Sequence, residues 1–144
     1  MQVREIMTQD PAVCTADKSI ADVARLMADN DCGEIPVVDD LESRKPTGVI
    51  TDRDIACRAV AKGKGPDTRV SEVMSENVVT CEPDADAQDC MDKMERHQLR
   101  RIPIVDAQGR ICGIVAQADL ARQTSHRDTA RVVSDVSQPA QPSL

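Results

Sequence analysis

The feature that most constrains this chain is that three of its stretches occur twice, in the same order. These are residues 3–8 and 70–75, 35–39 and 102–106, and 48–50 and 113–115. The offset is 67 residues for the first two pairs and 65 for the third, because the turn "DDLESRKPTG" is two residues longer than "DAQGRICG". A repeat with one gap in a turn predicts two copies of one structural unit, residues 1–65 and 66–126, followed by a polar tail, 127–144, that is predicted to be disordered.

Each copy has the pattern of a strand, a helix, two strands and a second helix. Apolar residues recur at helical spacing over 19–30 and again over 86–97. Short β-rich runs, "EIPVVD" with "PTGVIT" and "RIPIVD" with "RICGIV", flank turn residues and predict one hairpin per copy. A second helix opens at Thr51 in the first copy. Because one copy alone would be marginally stable, the predicted fold is α+β (α/β), with two pseudo-twofold-related β-α-β-β-α repeats packed sheet to sheet.

Composition and charge limit what the chain is expected to contain and to bind. It has no Phe, Tyr or Trp, so the core is predicted to consist of Val, Ile, Leu, Met, Ala and Cys. Any bound base would then lie between aliphatic side chains and backbone. A formal net charge of −7 opposes a nucleic-acid partner. No run reaches membrane-spanning length and no signal-peptide pattern is visible, so we expect a cytoplasmic location and no membrane partner.

The spacing of the cysteines and histidines does not match a metal site, and the chain lacks the common catalytic motifs. No two of the six cysteines have CxxC spacing, and only His97 and His126 could supplement them as ligands. Reduced thiols buried as small apolar side chains are therefore favoured over a zinc site or a disulfide framework. No Ser-His-Asp set, paired-carboxylate motif or glycine-rich phosphate loop is present, so an enzyme is not predicted. His97 is expected to cap a helix or to contact phosphate.

The segment "GVITDRD", residues 48–54, allows two interpretations. Thr51 and Asp54 have the spacing of a helix N-terminal capping box, which requires no ligand. The same residues could instead serve a ligand, because a carboxylate accepts both hydroxyls of a ribose diol and a helix N-terminus favours phosphate. The local pattern leaves both interpretations open.

Taken together, "V-x-x-[IV]-M-[TS]", a helix, "[RE]-I-P-[VI]-V-D", a turn and "G-[VI]-[IV]-x-x-x-D" resemble the cystathionine-β-synthase (CBS) domain, here as a tandem pair over residues 3–123. The resemblance implies a regulatory module without an obligatory cofactor. It would bind AMP, ADP, ATP, NAD or S-adenosylmethionine in clefts between the repeats and signal to an unidentified downstream protein. In that family the motif G-h-x-[TS]-x-x-D places its hydroxyl and carboxylate on ribose and phosphate, and Gly48, Thr51 and Asp54 match it in full.

The resemblance also assigns residues to two clefts. The first is expected to contain Gly48, Thr51, Arg53, Asp54, Ser75, Val79, Leu99, Arg100, Arg101, Ile102 and Pro103. The second is expected to contain Thr8, Ala12, Cys32, Gly33, Glu34, Ile35, Pro36, Gln117 and Asp119. Ala116 replaces the Thr51 hydroxyl, and Glu34 stands where the first cleft has Arg101. We therefore expect the second cleft to repel an anionic phosphate, and either to be empty or to take the uncharged end of a longer ligand.

Some of these residues also have simpler interpretations. Arg100 and Arg101 could be a solvated pair at the entry to a strand. Pro36 and Pro103 could mark strand starts, where no backbone N–H is needed.

The chain is further expected to be a homodimer. Tandem CBS pairs commonly associate through their helices, and Met27, Met91 and Met94 predict apolar helix surface beyond the needs of one core. The alternative function is a dimerising adaptor that binds other proteins and no ligand.

Overall fold

The computed structural model describes residues 1–123, so the predicted tail 127–144 lies outside the described residues. The strands are β1 (Thr8–Gln9), β2 (Cys14–Thr15), β3 (Glu34–Val38), β4 (Pro46–Thr51), β5 (Arg101–Val105) and β6 (Ile111–Ala116). The helices are α1 (Ile20–Asn30), α2 (Asp52–Asp54), α3 (Ala87–His97) and α4 (Gln117–Gln123). The chain continues from α2 as a π-helical segment, Ile55–Ala59, and a 3-10 turn, Val60–Lys62, and it forms further 3-10 turns at Val3–Glu5 and Val70–Glu72.

The described chain forms two compact units that do not coincide with the two sequence repeats. The central unit is Ala12–Val78, and the terminal unit combines Met1–Pro11 with the described residues from Val79 onward. Each unit therefore consists of most of one repeat and the opening segment of the other. Backbone pairing is the reason. β1, from the first repeat, pairs with β6, whereas Ser75, from the second repeat, exchanges backbone hydrogen bonds with Val49 of β4.

The two long helices, α1 and α3, confirm the helices predicted from apolar spacing. Ser19 caps α1 by accepting a hydrogen bond from the Asp22 N–H at 3.1 Å. Both helices end where one residue turns left-handed, at Asp31 with φ 50° and at Gln98 with φ 54°. None of the helices within residues 1–123 has the length and apolarity that a bilayer crossing requires.

Each unit contains one three-stranded sheet, and the two predicted hairpins are confirmed. In the central unit the strand order is β2-β3-β4, with β3 and β4 antiparallel. In the terminal unit the order is β1-β6-β5, with β5 and β6 antiparallel. The strands that carry the repeated "G-[VI]-[IV]" motif, β4 and β6, each lead directly into a helix.

The aspartate that ends each repeated "I-P-[VI]-V-D" run organises the hairpin turn. Asp39 Oδ1 accepts hydrogen bonds from the Ser43 hydroxyl at 2.6 Å and from the Lys45 N–H at 3.0 Å. Asp106 Oδ1 accepts the Arg110 N–H at 3.0 Å. The Ser43 hydrogen bond lowers the pKa of the Asp39 carboxyl, and the Arg110 N–H lowers the pKa of Asp106. This part of the repeat is therefore explained by folding alone.

Each unit has its own hydrophobic cluster, built from the predicted apolar residue types. The central cluster contains Cys14, Ile20, Val23, Met27, Ile35, Val37, Ile50, Ala59, Val70 and Val73. The terminal cluster contains Val3, Ile6, Cys81, Ala87, Cys90, Met91, Met94, Ile102, Ile104, Val115 and Leu120.

The prediction that three methionines offer helix surface for a dimer was wrong. Met27, Met91 and Met94 are only 7%, 1% and 0% exposed. In a chain without aromatic side chains, the long and flexible Met fills core volume instead.

Candidate functional site

The turn from β4 into α2 contains the segment that allowed two interpretations, and its capping box is formed. The Thr51 Oγ1 accepts a hydrogen bond from the Asp54 N–H at 3.0 Å. In return, Asp54 Oδ2 accepts the Thr51 N–H, also at 3.0 Å. Two backbone donors at the start of the helix are thereby satisfied by the two side chains. The structural interpretation of these residues is confirmed.

The capping box leaves part of both side chains available. Thr51 and Asp54 are each partly exposed. Within residues 1–123, the Asp54 Oδ1 accepts no hydrogen bond and the Thr51 O–H donates none. An ionised carboxylate can accept several hydrogen bonds through its two oxygens. Capping and ligand binding are therefore compatible here, and the box holds the carboxylate in a fixed orientation.

Gly48 allows a neighbouring backbone segment to approach β4 closely. The Val49 N–H donates to the Ser75 carbonyl and the Ser75 N–H donates to the Val49 carbonyl, both at 2.9 Å. A Cβ at Gly48 would lie 2.6 Å from the Ser75 carbonyl oxygen and 3.2 Å from Met74 Sδ. The glycine of the motif is thus required by packing, and it places Ser75 beside the strand that ends at Thr51.

A second contact that the sequence did not indicate holds the same segment. Arg58, after the capping box, donates from Nη1 to the carbonyls of Val73 at 3.0 Å and Met74 at 3.1 Å. Sequence patterns give no signal for this contact, because its acceptors are main-chain oxygens that every residue carries. Arg53, predicted as a ligand residue, has an exposed side chain.

The corresponding turn of the terminal unit, from β6 into α4, keeps half of this arrangement. Asp119 Oδ2 accepts the Ala116 N–H at 2.8 Å, but Ala116 has no hydroxyl to complete a box. The Gln117 N–H donates to the Arg100 carbonyl at 3.0 Å, as the Asp52 N–H does to the Gly33 carbonyl at 2.9 Å in the central unit. The two turns therefore share this backbone hydrogen bond, and their side-chain chemistry differs.

The charges around the two turns also differ. In the antiparallel pair of β3 and β4, Glu34 lies directly opposite Thr51. In the pair of β5 and β6, Arg101 lies directly opposite Ala116. Directly opposite residues place their side chains on the same face of a sheet. The Thr51 turn therefore has a net negative charge, with carboxylates at positions 34, 52 and 54 and one cation, Arg53, and it suits hydroxyl groups better than phosphate.

The residues predicted for the two clefts are divided between the units. In the first set, Gly48, Thr51, Arg53, Asp54 and Ser75 belong to the central unit, and Val79, Leu99, Arg100, Arg101, Ile102 and Pro103 to the terminal unit. In the second set, Ala12, Cys32, Gly33, Glu34, Ile35 and Pro36 belong to the central unit, and Thr8, Gln117 and Asp119 to the terminal unit. Ile35 and Ile102 are fully buried, so their side chains serve the cores. Pro36 and Pro103 are buried within strands.

Among residues 1–123, no three or more His, Cys, Asp or Glu side chains are grouped so that they could hold a metal ion. All six cysteines are free thiols: Cys14, Cys81 and Cys90 are buried, Cys32 and Cys112 are partly exposed, and Cys57 is exposed.

Comparison with protein families and curated proteins gives a consistent result. The family model of the CBS domain matches residues 3–59 and again residues 70–126. The CBS domain-containing protein YhcV of Bacillus subtilis (strain 168) is 40% identical over 136 residues, which span 94% of this chain and 94% of that protein.

Solved structures resemble the chain in fold. The CBS domain pair of protein MJ0100, in complex with 5′-methylthioadenosine and S-adenosyl-L-methionine, has a TM-score of 0.75 at 30% identity, covering 85% of this chain and 94% of that one. Hypoxic Response Protein I, with two coordinated zinc ions, has a TM-score of 0.77 at 29% identity, covering 87% of this chain and 100% of that one.

Proposed function

The chain belongs to the CBS-domain family and carries two CBS domains in tandem, and from this premise we propose that it is a non-catalytic regulatory protein. It binds an adenosine-containing ligand and passes the signal to a partner protein. The cytoplasm is the proposed location, and the six free thiols support it, because disulfides are rare in that compartment. The ligand is returned unchanged, so AMP or S-adenosylmethionine recovered after long incubation should be intact by chromatography.

The observation that carries this proposal is the oriented carboxylate of Asp54. The capping box fixes it through Oδ2 and leaves Oδ1 and the Thr51 hydroxyl available. A carboxylate held in this way can accept both hydroxyls of a ribose diol in charge-assisted hydrogen bonds. Ligands of the related MJ0100 pair, 5′-methylthioadenosine and S-adenosyl-L-methionine, each carry such a ribose.

A thermal-shift panel tests ligand binding directly. We expect at least one of AMP, ADP, ATP, NAD and S-adenosylmethionine to stabilise the protein, by about 2.7 kcal/mol at a hundredfold excess over its Kd. CMP is the matched control, since it keeps the ribose and phosphate of AMP and replaces adenine. If no member of the panel shifts the melting temperature at millimolar concentration, the ligand-free adaptor becomes the better interpretation.

The acidic surroundings of Thr51 make the panel more informative. Glu34 lies opposite Thr51 in the hairpin, and the Asp52 carboxylate lies against Gly33, where Oδ2 would be 2.7 Å from an added Cβ. Phosphate placed at this turn would be repelled, whereas ribose hydroxyls would not. AMP should therefore be compared with 5′-methylthioadenosine, which has no phosphate. If AMP binds as tightly, its phosphate must contact a positively charged side chain outside this turn.

We also propose a homodimer, through a helical surface other than the one predicted from methionines. Val60 is 67% exposed, and Ala56, Cys57 and Ala61 on the same helical segment are exposed as well. This stretch of small and apolar side chains after α2 is suited to association with a second copy.

Val60→Glu is therefore expected to convert the dimer to the monomer, because it places a charge in an apolar contact. Light scattering should change from twice the chain mass of 15.7 kDa to that mass itself. Leu41→Glu is the control, because Leu41 is also 59% exposed but lies in the β3–β4 turn. A wild-type protein that already scatters as 15.7 kDa at micromolar concentration would contradict the dimer.

A further inference from the structure

The terminal unit contains two neighbouring thiols in its core. Cys81 is 6% exposed and Cys90 is fully buried, and both belong to the same hydrophobic cluster. Their side chains are hydrogen-bonded to each other. Cys81 is held in place by its backbone, since its N–H donates to the Pro103 carbonyl at 3.0 Å and its carbonyl accepts the Val105 N–H at 2.9 Å. Cys90 lies on the buried face of α3.

A cation lies close to this pair. Lys93 follows Cys90 by one turn of α3, and its Nζ donates to the carbonyl of Thr80, the residue before Cys81, at 2.8 Å. The hydrogen bond from Cys90, the backbone N–H of Glu82 and the Lys93 ammonium lower the pKa of the Cys81 thiol below its ordinary value, although burial and the Glu82 carboxylate oppose them. The hydrogen bond to Cys81 and burial raise the pKa of Cys90.

The internal repeat provides a comparison within the same molecule. At the offset of 67 residues, Cys81 corresponds to Cys14, Cys90 to Val23 and Lys93 to Leu26. Cys14 therefore has the same place in its unit, with neither a second thiol nor a cation at the matching positions. Burial and the Asp17 carboxylate raise the pKa of Cys14 to about 12. The thiol pair is thus a feature of one repeat and is not needed to build the fold.

We propose that Cys81 and Cys90 are a redox modification site, a dithiol that hydrogen peroxide converts to an intramolecular disulfide. The Cys81 thiolate attacks one oxygen of the peroxide, forming a sulfenic acid as the O–O bond breaks, and the departing hydroxide becomes water with the proton that Cys81 gave up. The Cys90 sulfur then attacks the Cys81 sulfur. The S–S bond forms, the S–O bond breaks, and the hydroxyl leaves with the Cys90 proton as a second water, so two electrons reduce one peroxide.

This assignment has a direct test on the full chain, because tryptic cleavage places both thiols in one peptide. Peptide 70–93 holds Cys81 and Cys90, and peptide 5–18 holds Cys14. After graded peroxide treatment, alkylation and non-reducing digestion, peptide 70–93 should be lighter by two hydrogen atoms and unlabelled. Dithiothreitol should restore its labelling. Thiol loss in this peptide should be at least about tenfold faster than in peptide 5–18, since reactivity follows thiolate character.

Cys90→Val is the matched variant, since it reproduces the residue that the first repeat carries at Val23. Cys81 should then be oxidised more slowly and stop at the sulfenic acid, which dimedone traps. Cys57→Ser in every protein removes the exposed thiol as a source of intermolecular disulfides. If peptide 70–93 is oxidised no faster than peptide 5–18, or gains oxygen atoms on its cysteines without losing two hydrogens, the proposal is overturned.

Discussion

Asp54→Ala should weaken binding of the adenosine-containing ligand by roughly 2–4 kcal/mol, a loss of about thirtyfold or more. The variant removes a charged acceptor of the β4–α2 turn whose orientation is fixed by the hydrogen bond from the Thr51 N–H to Oδ2. Calorimetry with the ligand identified in the thermal-shift panel measures the effect. The stability of the unliganded protein should fall as well, by about 1 kcal/mol, because the capping box is broken.

Two further variants separate capping from binding. Asp54→Asn keeps an oxygen that can accept the Thr51 N–H and removes the charge, so stability should be nearly retained while affinity still falls at least about tenfold. Asp119→Ala removes the corresponding carboxylate of the terminal unit, whose turn lacks a hydroxyl at Ala116. It should reduce affinity far less. Equal losses at Asp54 and Asp119 would show that the expected asymmetry is wrong, and a larger loss at Asp119 would assign the ligand to the other set of residues.

The elements of secondary structure could be predicted because local chemistry determines them. The apolar spacing of α1 and α3 reflects the face that each helix buries, and Ser19 caps α1 as its position in the sequence suggests. The hairpins follow from alternating β-rich runs around turns that Asp39 and Asp106 organise. The internal repeat supports these predictions further, because each pattern occurs in both copies.

The partition of the chain into units could not be predicted in the same way. Which strand pairs with β4 depends on backbone groups that all residues share, and the repeat pattern is identical whether Ser75 pairs within its own repeat or with the other. The prediction that the methionines form a dimer surface was wrong for a different reason. Counting apolar residues does not reveal how much volume a core without aromatic rings must fill, so Met27 and Met91 were interpreted as surplus when they are core.

The capping role of Thr51 and Asp54 could be predicted from the sequence, and their ligand-binding role stays a prediction. Thr51 and Asp54 were recognised as either a capping box or ligand residues, and the structure shows a capping box that leaves one carboxylate oxygen available. The resemblance assigns Glu34 to the second cleft, and the strand register adds that this acidic residue lies opposite Thr51. A one-dimensional pattern carries no register between strands, so it could not place this charge.

The close approach of Ser75 to β4 leads to the largest stability effect that we expect. Gly48→Ala should lower the free energy of unfolding by about 2–3 kcal/mol, the upper part of the usual cost of overpacking. The new Cβ would lie 2.6 Å from the Ser75 carbonyl oxygen. The Ser75 backbone makes two hydrogen bonds to Val49. Arg58 also donates hydrogen bonds to the carbonyls of the two preceding residues. The segment therefore cannot move away without breaking these bonds.

Gly113→Ala is the matched control, because Gly113 has the same place in β6 but a softer neighbour. Its Cβ would meet Met7 Sδ at 2.5 Å and the Thr8 carbonyl oxygen at 3.1 Å. Met7 can change rotamer at small cost, so the expected loss is only about 1 kcal/mol. Urea denaturation of the three proteins measures the difference, with unchanged m-values showing that the transitions are comparable. Equal losses would mean that the Ser75 segment moves as readily as a methionine side chain, and close packing would then not explain the glycine at position 48.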